Sequence, residues 1–184
     1  MKDDLSICAL KEKLPGMEYI IDSSIQEKIY QAWKQAFDES DWDCLEDVWI
    51  DPGNEWGERL LPHVNRVTAM CKAVSDTLIQ EGETIDQQLL LTLSLMHDVS
   101  KVVEFEPTED GKCRFSIAGI EMQHGVIGAI IADHVGFDKK MIHLIHSHTK
   151  NSGIKPNYPE GRLFQHLDLA DFEMVSFHKQ EGAM

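Results

Sequence analysis

Leu95-Met96-His97-Asp98-Val99-Ser100-Lys101 ends an apolar run with an imidazole and a carboxylate side by side and a lysine three residues on. A carboxylate carried to the edge of a core costs on the order of several kcal/mol of desolvation unless a cation, a hydrogen-bond network or a metal meets it. Neighbours on a helix point about 100° apart, so His97 and Asp98 reach one ion most easily where the helix ends. Residues of the same chemistry recur at His63, His124, His148 and Asp168. Helices bearing convergent imidazoles and carboxylates are how a bundle builds a metal site. The donors suit one or two divalent ions of iron, manganese, nickel, cobalt or zinc, and residue type alone does not separate these from magnesium. Such a centre can activate water for hydrolysis, for which Asp98 and Lys101 are the catalytic candidates.

The elements that must position these groups are helices. Leu89 to Met96 is apolar on nearly every side, which reads as a helix buried in a helical domain, begun by the capping-box-like Thr84-Ile85-Asp86-Gln87. From about Glu58 to Leu78, the stripe Val64, Val67, Cys71, Val74 and Leu78 predicts an amphipathic helix. Pro62 belongs in its first turn, which puts His63 near the start beside the stripe. A helix from about Gly119 to Val135 carries His124 in its first half, with Gly125 and Gly128 allowing close approach. Asp138 caps the next, on which Met141, Ile142, Leu144 and Ile145 pack and which His146-Ser147-His148 terminates. Residues 151–161, with Gly153, Pro156 and Pro159, form a loop. The last helix runs from about Arg162 into the 170s and carries Leu163, Phe164, Leu167, Asp168 and Asp171. Within residues 102–116, Asp110-Gly111 between short apolar runs predicts a small hairpin, either a lid or a connector.

Upstream, residues 1–21 have weak periodicity and a Pro15-Gly16 break, which reads as a loosely attached start. Ser23 or Ser24 caps a helix marked by Ile25, Ile29, Ala32, Trp33, Ala36 and Phe37. Trp42, Leu45, Val48 and Trp49 suggest a further helical turn before the turn signal Asp51-Pro52-Gly53-Asn54. The chain thus divides into an accessory helical segment, residues 1–57, and a metal-binding helical domain, residues 58–184. At 184 residues it can bury a core without staples. A net charge of -15, from 17 Lys and Arg against 32 acids, excludes a broad phosphate-backbone binder and so duplex nucleic acid. Arg59, Arg66, Lys150, Lys155 and Arg162 are the sparse cations that could hold an anionic substrate, Arg59, Arg66 and Lys150 foremost. All 9 histidines follow residue 62, which places the chemistry in the later part of the chain. Cys8, Cys44, Cys71 and Cys113 contain no C-x-x-C pair, which argues against a zinc ribbon and for a reducing compartment. Without a signal-like start or an apolar stretch of about 20 residues, a cytoplasmic protein with no membrane partner is expected. Homo-oligomerisation stays open.

These residues resemble the HD superfamily of metal-dependent phosphohydrolases over roughly residues 58–175. The segment from Leu95 to Lys101 is similar to the family's L-x-H-D-h-x-K core, with Ser100 where glycine is common. His124-Gly125-Val126-Ile127-Gly128-Ala129 resembles its H-x-x-h-G-A helix, and Ile145-His146-Ser147-His148-Thr149 the helix end that supplies a further histidine in two-metal members. The resemblance implies an all-α HD-like bundle in which His63, His97, Asp98 and Asp168 hold one divalent ion. Where a second ion binds, Asp98 would bridge and His124 and His148 would be added. Asp168 is preferred over Asp171, which follows an alanine in family-like fashion, and His148 over His146, because Thr149 follows it. The implied activity is hydrolysis of a small phosphomonoester or diester, a nucleotide first among them. The alternatives are a non-catalytic ligand-sensing or adaptor protein and an iron-dependent oxygenase.

Overall fold

The run from Leu89 to Met96 decides where the centre of the bundle lies. In the structure, a computed structural model that describes residues 2–53 and 58–181 without the side chains of Lys150 and residues 178–181, this run forms α4 (Gln87–Met96). Every residue from Leu90 to Ser100 is buried. Its cap is Asp86, whose side chain accepts from the Leu89 N–H at 3.0 Å, rather than Thr84. A carboxylate at that place satisfies an orphan donor and complements the positive end of the helix.

Around α4 pack α2 (Ser23–Glu39), α3 (Leu60–Gln80), α8 (Lys139–Ser147) and α9 (Pro159–Glu181). The buried stripe of α3 is Leu60, Leu61, Val64, Val67 and Cys71, and Pro62 falls in its first turn, as its missing N–H requires. Pro159 likewise opens α9, a few residues before the expected start. The chain expected as one helix over 119–135 is two. α6 (Ile117–Glu121), capped by Ser116, ends at the extended Met122-Gln123, and α7 (His124–His134) begins there. Periodicity hides this break, which tertiary contact decides: Gly119 packs onto the backbone of Glu104. α7 and α8 approach so closely that a Cβ on Gly125 would lie 2.7 Å from the His146 carbonyl oxygen.

After α4 the chain turns through His97 to Ser100 into the single turn α5 (Lys101–Glu104) and a hairpin of β1 (Phe105–Pro107) and β2 (Cys113–Phe115). The strands are antiparallel, pairing Phe105 with Phe115 and Pro107 with Cys113. The turn signal at residues 51–54 is described only in part: the Gly53 N–H donates to Asp51 Oδ1 at 2.7 Å, and Asn54 lies outside the described residues.

The first residues are docked, contrary to the loose start expected. α1 (Ile7–Lys13) and a 3-10 turn over Pro15–Tyr19 bury Leu10, Leu14, Met17 and Ile20, and Gly16 sits against Thr68 of α3. The spacing of Leu10, Leu14 and Met17 carries this signal, which the Pro15-Gly16 break masks. Asp22 rather than Ser23 or Ser24 caps α2, accepting from the Ser24 N–H at 2.7 Å. On α2, Ile29, Ala32, Trp33, Ala36 and Phe37 enter the same apolar core as Val64, Leu95 and Phe164. No described helix is long and apolar enough to cross a membrane, and the four cysteines are free.

Two indole N–H groups tie residues before 58 to the His97-Asp98 segment. Trp33 Nε1 donates to the Leu95 carbonyl at 2.9 Å and Trp42 Nε1 to the Phe105 carbonyl at 2.9 Å. Leu95 lies in the last turn of α4, where carbonyls lose their intrahelical donors. Trp33→Phe is therefore expected to lower stability by about 1–3 kcal/mol, the cost of a buried acceptor left unpaired. Urea unfolding checks this, and an unchanged midpoint would contradict it.

Candidate metal centre

Each candidate donor sits at a helix end or on a buried face for a local reason. His63 follows Pro62 in the first turn of α3, and His97 caps the C-terminus of α4. His124 opens α7, His148 closes α8, and Asp168 and Asp171 lie one turn apart on α9. His63, His97, Asp98 and His148 are buried, and Asp168 is partly exposed.

The side chains form two groups that share Asp98. Asp98 Oδ2 lies 3.4 Å from His97 Nε2 and 3.7 Å from His63 Nε2, and His63 Nε2 stands 3.1 Å from Asp168 Oδ1. Asp98 Oδ1 lies 3.6 Å from His148 Nε2 and 3.8 Å from His124 Nε2. His63, His97 and Asp168 form one set suited to an ion, and Asp98, His124 and His148 another. Donors about 2.1 Å from a common ion stand about 3.0 Å apart on an octahedral edge and about 3.4 Å apart on a tetrahedral one. The observed separations run from 3.1 to 3.8 Å, the shorter ones within these edges and the longer ones a few tenths of an ångström beyond them.

The rings are oriented from behind. His63 Nδ1 is 2.8 Å from Asp171 Oδ2, His97 Nδ1 is 2.9 Å from the Ser94 carbonyl and His148 Nδ1 is 2.5 Å from the Ile145 carbonyl. With those Nδ1 atoms donating, bare Nε2 lone pairs meet across 3.2 Å between His63 and His97. Between His124 and His148 the Nε2 separation is 3.1 Å. A cation between them, a proton or a metal ion, makes such contacts favourable. Asp171 also accepts from Arg66, whose Nε is 2.7 Å away and whose Nη2 reaches Glu58 at 2.8 Å. Asp171 thus meets the ring nitrogen of His63 that is turned away from Asp98 and Asp168, the place an outer partner takes behind a ligating histidine.

Electrostatics follow the same division. Burial disfavours a charged His63, but bonds to Asp168 and Asp171 outweigh it and push its pKa up to about 9. Burial, with Lys101 adding to it, pushes His124 down to about 3. Burial raises the Asp98 carboxyl, yet His97, the bond from His148 and Lys101 hold it well below the usual carboxylate range. Lys101 pairs with Glu104 at 3.0 Å.

A cavity of about 350 Å³ opens over the two groups, lined by His63, Asp98, Lys101, His124, His148 and Asp168. Ile50, Asp51, Thr149, Asn151, Gln165, Leu169 and Phe172 complete its wall. No wall residue comes from β1 or β2, so the hairpin is a connector here and does not cover the cavity. Arg59 and Arg66 do not line it: Arg59 stacks on Trp49 and donates to the Asp47 carbonyl. The Lys150 side chain lies outside the described residues. His146 belongs to neither donor set. Ile50 and Asp51 carried no sequence signal as wall residues, since an aromatic-rich stretch before a turn reads as packing. Glu104 carried none either, because its place beside His124 depends on how α6 docks.

The HD domain family model matches residues 60–172, more than half of the chain. The protein belongs to the HD domain family. No curated protein and no solved structure matches it. The match spans every donor in the two sets, and the HD superfamily is one of metal-dependent phosphohydrolases.

Two measurements test the centre of this HD domain. Asp168→Ala is expected to lose an ion, whereas Asp171→Asn keeps it with affinity about 10–100-fold weaker, the usual cost of an outer partner; full metal content in the Asp168 variant would reverse that order. Ligation needs an unprotonated Nε2, and His63 without metal is protonated up to about pH 9. Metal affinity should therefore rise as pH climbs from 7 to 9 and level off above. Calorimetry at pH 7 in buffers of different ionisation enthalpy should show proton release on loading, and a pH-independent affinity over that window would contradict the reading.

Proposed function

We propose that this protein is a phosphohydrolase acting on a phosphomonoester or phosphodiester of a small substrate, a nucleotide being the size and chemistry that fit. The observation that carries the reading is one ionised carboxylate, Asp98, shared by two donor sets at the floor of a cavity that Lys101 also lines. In this reading His63, His97, Asp98 and Asp168 hold one divalent ion, and Asp98, His124 and His148 a second. Such ions, when bound, would supply hydroxide at neutral pH and draw charge from phosphoryl oxygens.

The chain's own residues divide the remaining work. Lys101, which burial discharges less than Asp98 and Glu104 keep it charged, has its pKa raised and offers a fixed positive group to a phosphoryl oxygen. Gln165 donates to the Ser147 carbonyl at 2.9 Å, which steadies its amide on the cavity wall. Ile50, Leu169 and Phe172 form an apolar side against which a base or other organic group can lie and displace water. Arg66 acts through Asp171 on His63, and phosphate contact is assigned to Lys101 in its place.

Protein loaded with manganese, iron, cobalt, nickel or zinc should turn over a chromogenic phosphomonoester or its bis-ester. His97→Ala should abolish this, and Lys101→Met should lower kcat/KM by about 100-fold or more, the scale of losing one charge-stabilising donor. Absence of turnover with every metal, in protein that binds the metal, would replace hydrolysis with a ligand-sensing or adaptor role.

A further inference from the structure

Among the described residues, three of the four imidazoles at the centre have a hydrogen-bond acceptor on Nδ1 within 2.9 Å, and His124 does not. The group that faces its Nδ1 is Glu104 Oε1, at 4.0 Å. Glu104 is 5% exposed, and its other oxygen, Oε2, lies 3.0 Å from Lys101 Nζ without forming a well-directed hydrogen bond. A carboxylate buried this deeply is costly unless both of its oxygens serve charged or donating groups.

The backbone holds Glu104 in place. The Ser116 N–H donates to its carbonyl at 2.9 Å, and Ser116 Oγ donates to the Val103 carbonyl at 2.6 Å. α6 lies directly on it, since a Cβ on Gly119 would come within 2.3 Å of the Glu104 carbonyl oxygen and 3.0 Å of its Cγ. The side chain is thus pressed between α6 and the cavity, where it meets one lysine and one imidazole.

We propose that Glu104 is the positioning residue of the second donor set: its carboxylate accepts the Nδ1 proton of His124, turns Nε2 toward Asp98, and with its other oxygen holds Lys101 beside the cavity. This rests on the two-ion reading of the centre. Ring rotation of His124, which is partly exposed at the first residue of α7, closes the remaining gap, and one bridging water serves the same end. An acceptor behind a ligating histidine fixes its tautomer and raises its basicity. Glutamine at 104 has one acceptor oxygen for two donors. That oxygen goes to the lysine, so the amide N–H₂ faces His124 and favours the tautomer with the proton on Nε2, which cannot ligate.

Manganese and zinc titrations of the full chain, followed by metal content, should give two ions in the parent protein. Glu104→Gln should retain the first ion unchanged and bind the second about 10–100-fold more weakly. Ring nitrogen shifts of zinc-loaded protein should place the His124 proton on Nδ1 in the parent and on Nε2 in the variant. Two ions bound with parental affinity by Glu104→Gln would overturn the role of Glu104 while leaving the two-ion centre intact. A single ion in the parent, or a second ion that survives His124→Ala, would overturn the centre itself. The double variant Lys101→Met, Glu104→Gln removes both buried charges and keeps the test open if the single variant fails to fold. Its second ion should stay weak, and recovery of parental affinity would assign the effect to the lysine instead.

Discussion

Asp98 is 5% exposed, and its two oxygens look in opposite directions, Oδ2 toward His63 and His97, Oδ1 toward His124 and His148. An ionised carboxylate in such a place is tolerable only while positive charge is supplied on both sides. The rest of the fold can be read as the means of supply. α3, α7 and α8 begin or end within a turn of the residue that carries a donor, α9 brings Asp168 from its middle, and α4 stops at Met96, so that the imidazole of His97 and the carboxylate of Asp98 can face the same space. Lys101, one turn on, adds a fixed positive charge from below.

The rings are held from behind by groups outside the two donor sets. Asp171 and Arg66 brace His63, while main-chain carbonyls of Ser94 and Ile145 brace His97 and His148. The carbonyls are one helical turn back from the rings they hold, so a histidine at a helix end is braced almost automatically by the turn it closes. His63, at the opposite end of its helix, has no such carbonyl available and takes its acceptor from α9. The same geometry accounts for the two carboxylates of α9 meeting different atoms of His63, Asp168 its Nε2 and Asp171 its Nδ1, although they lie a single turn apart.

Much of this was legible in the amino-acid sequence because it rests on local rules. The buried character of Leu89 to Met96, the stripe of α3 and the Asp138 cap follow from periodicity and capping, and the hairpin from Asp110-Gly111. Carboxylate and imidazole types marked the residues that converge. What periodicity could not reveal depends on contacts between distant segments. Gly119 meeting Glu104 breaks a continuous apolar pattern into α6 and α7, and the docking of Leu10, Leu14 and Met17 overrides a Pro-Gly break. Arg59 and Arg66 were read as substrate contacts by charge alone, whereas the fold employs them on Trp49, Asp47, Asp171 and Glu58. Ile50 and Asp51 reach the cavity only because the chain before residue 58 folds back along α3 through the Val48 to Leu60 pairing.

The contact between Gly125 and the His146 carbonyl has a mechanical consequence. Main chain touching main chain sets the separation of two neighbouring helices with no rotamer in between to give way. The span from His124 to His148 is therefore gauged by incompressible backbone and resists drift when side chains elsewhere are exchanged. The wall around Ile50 and Asn151 is built instead from short connecting segments between the packed helices.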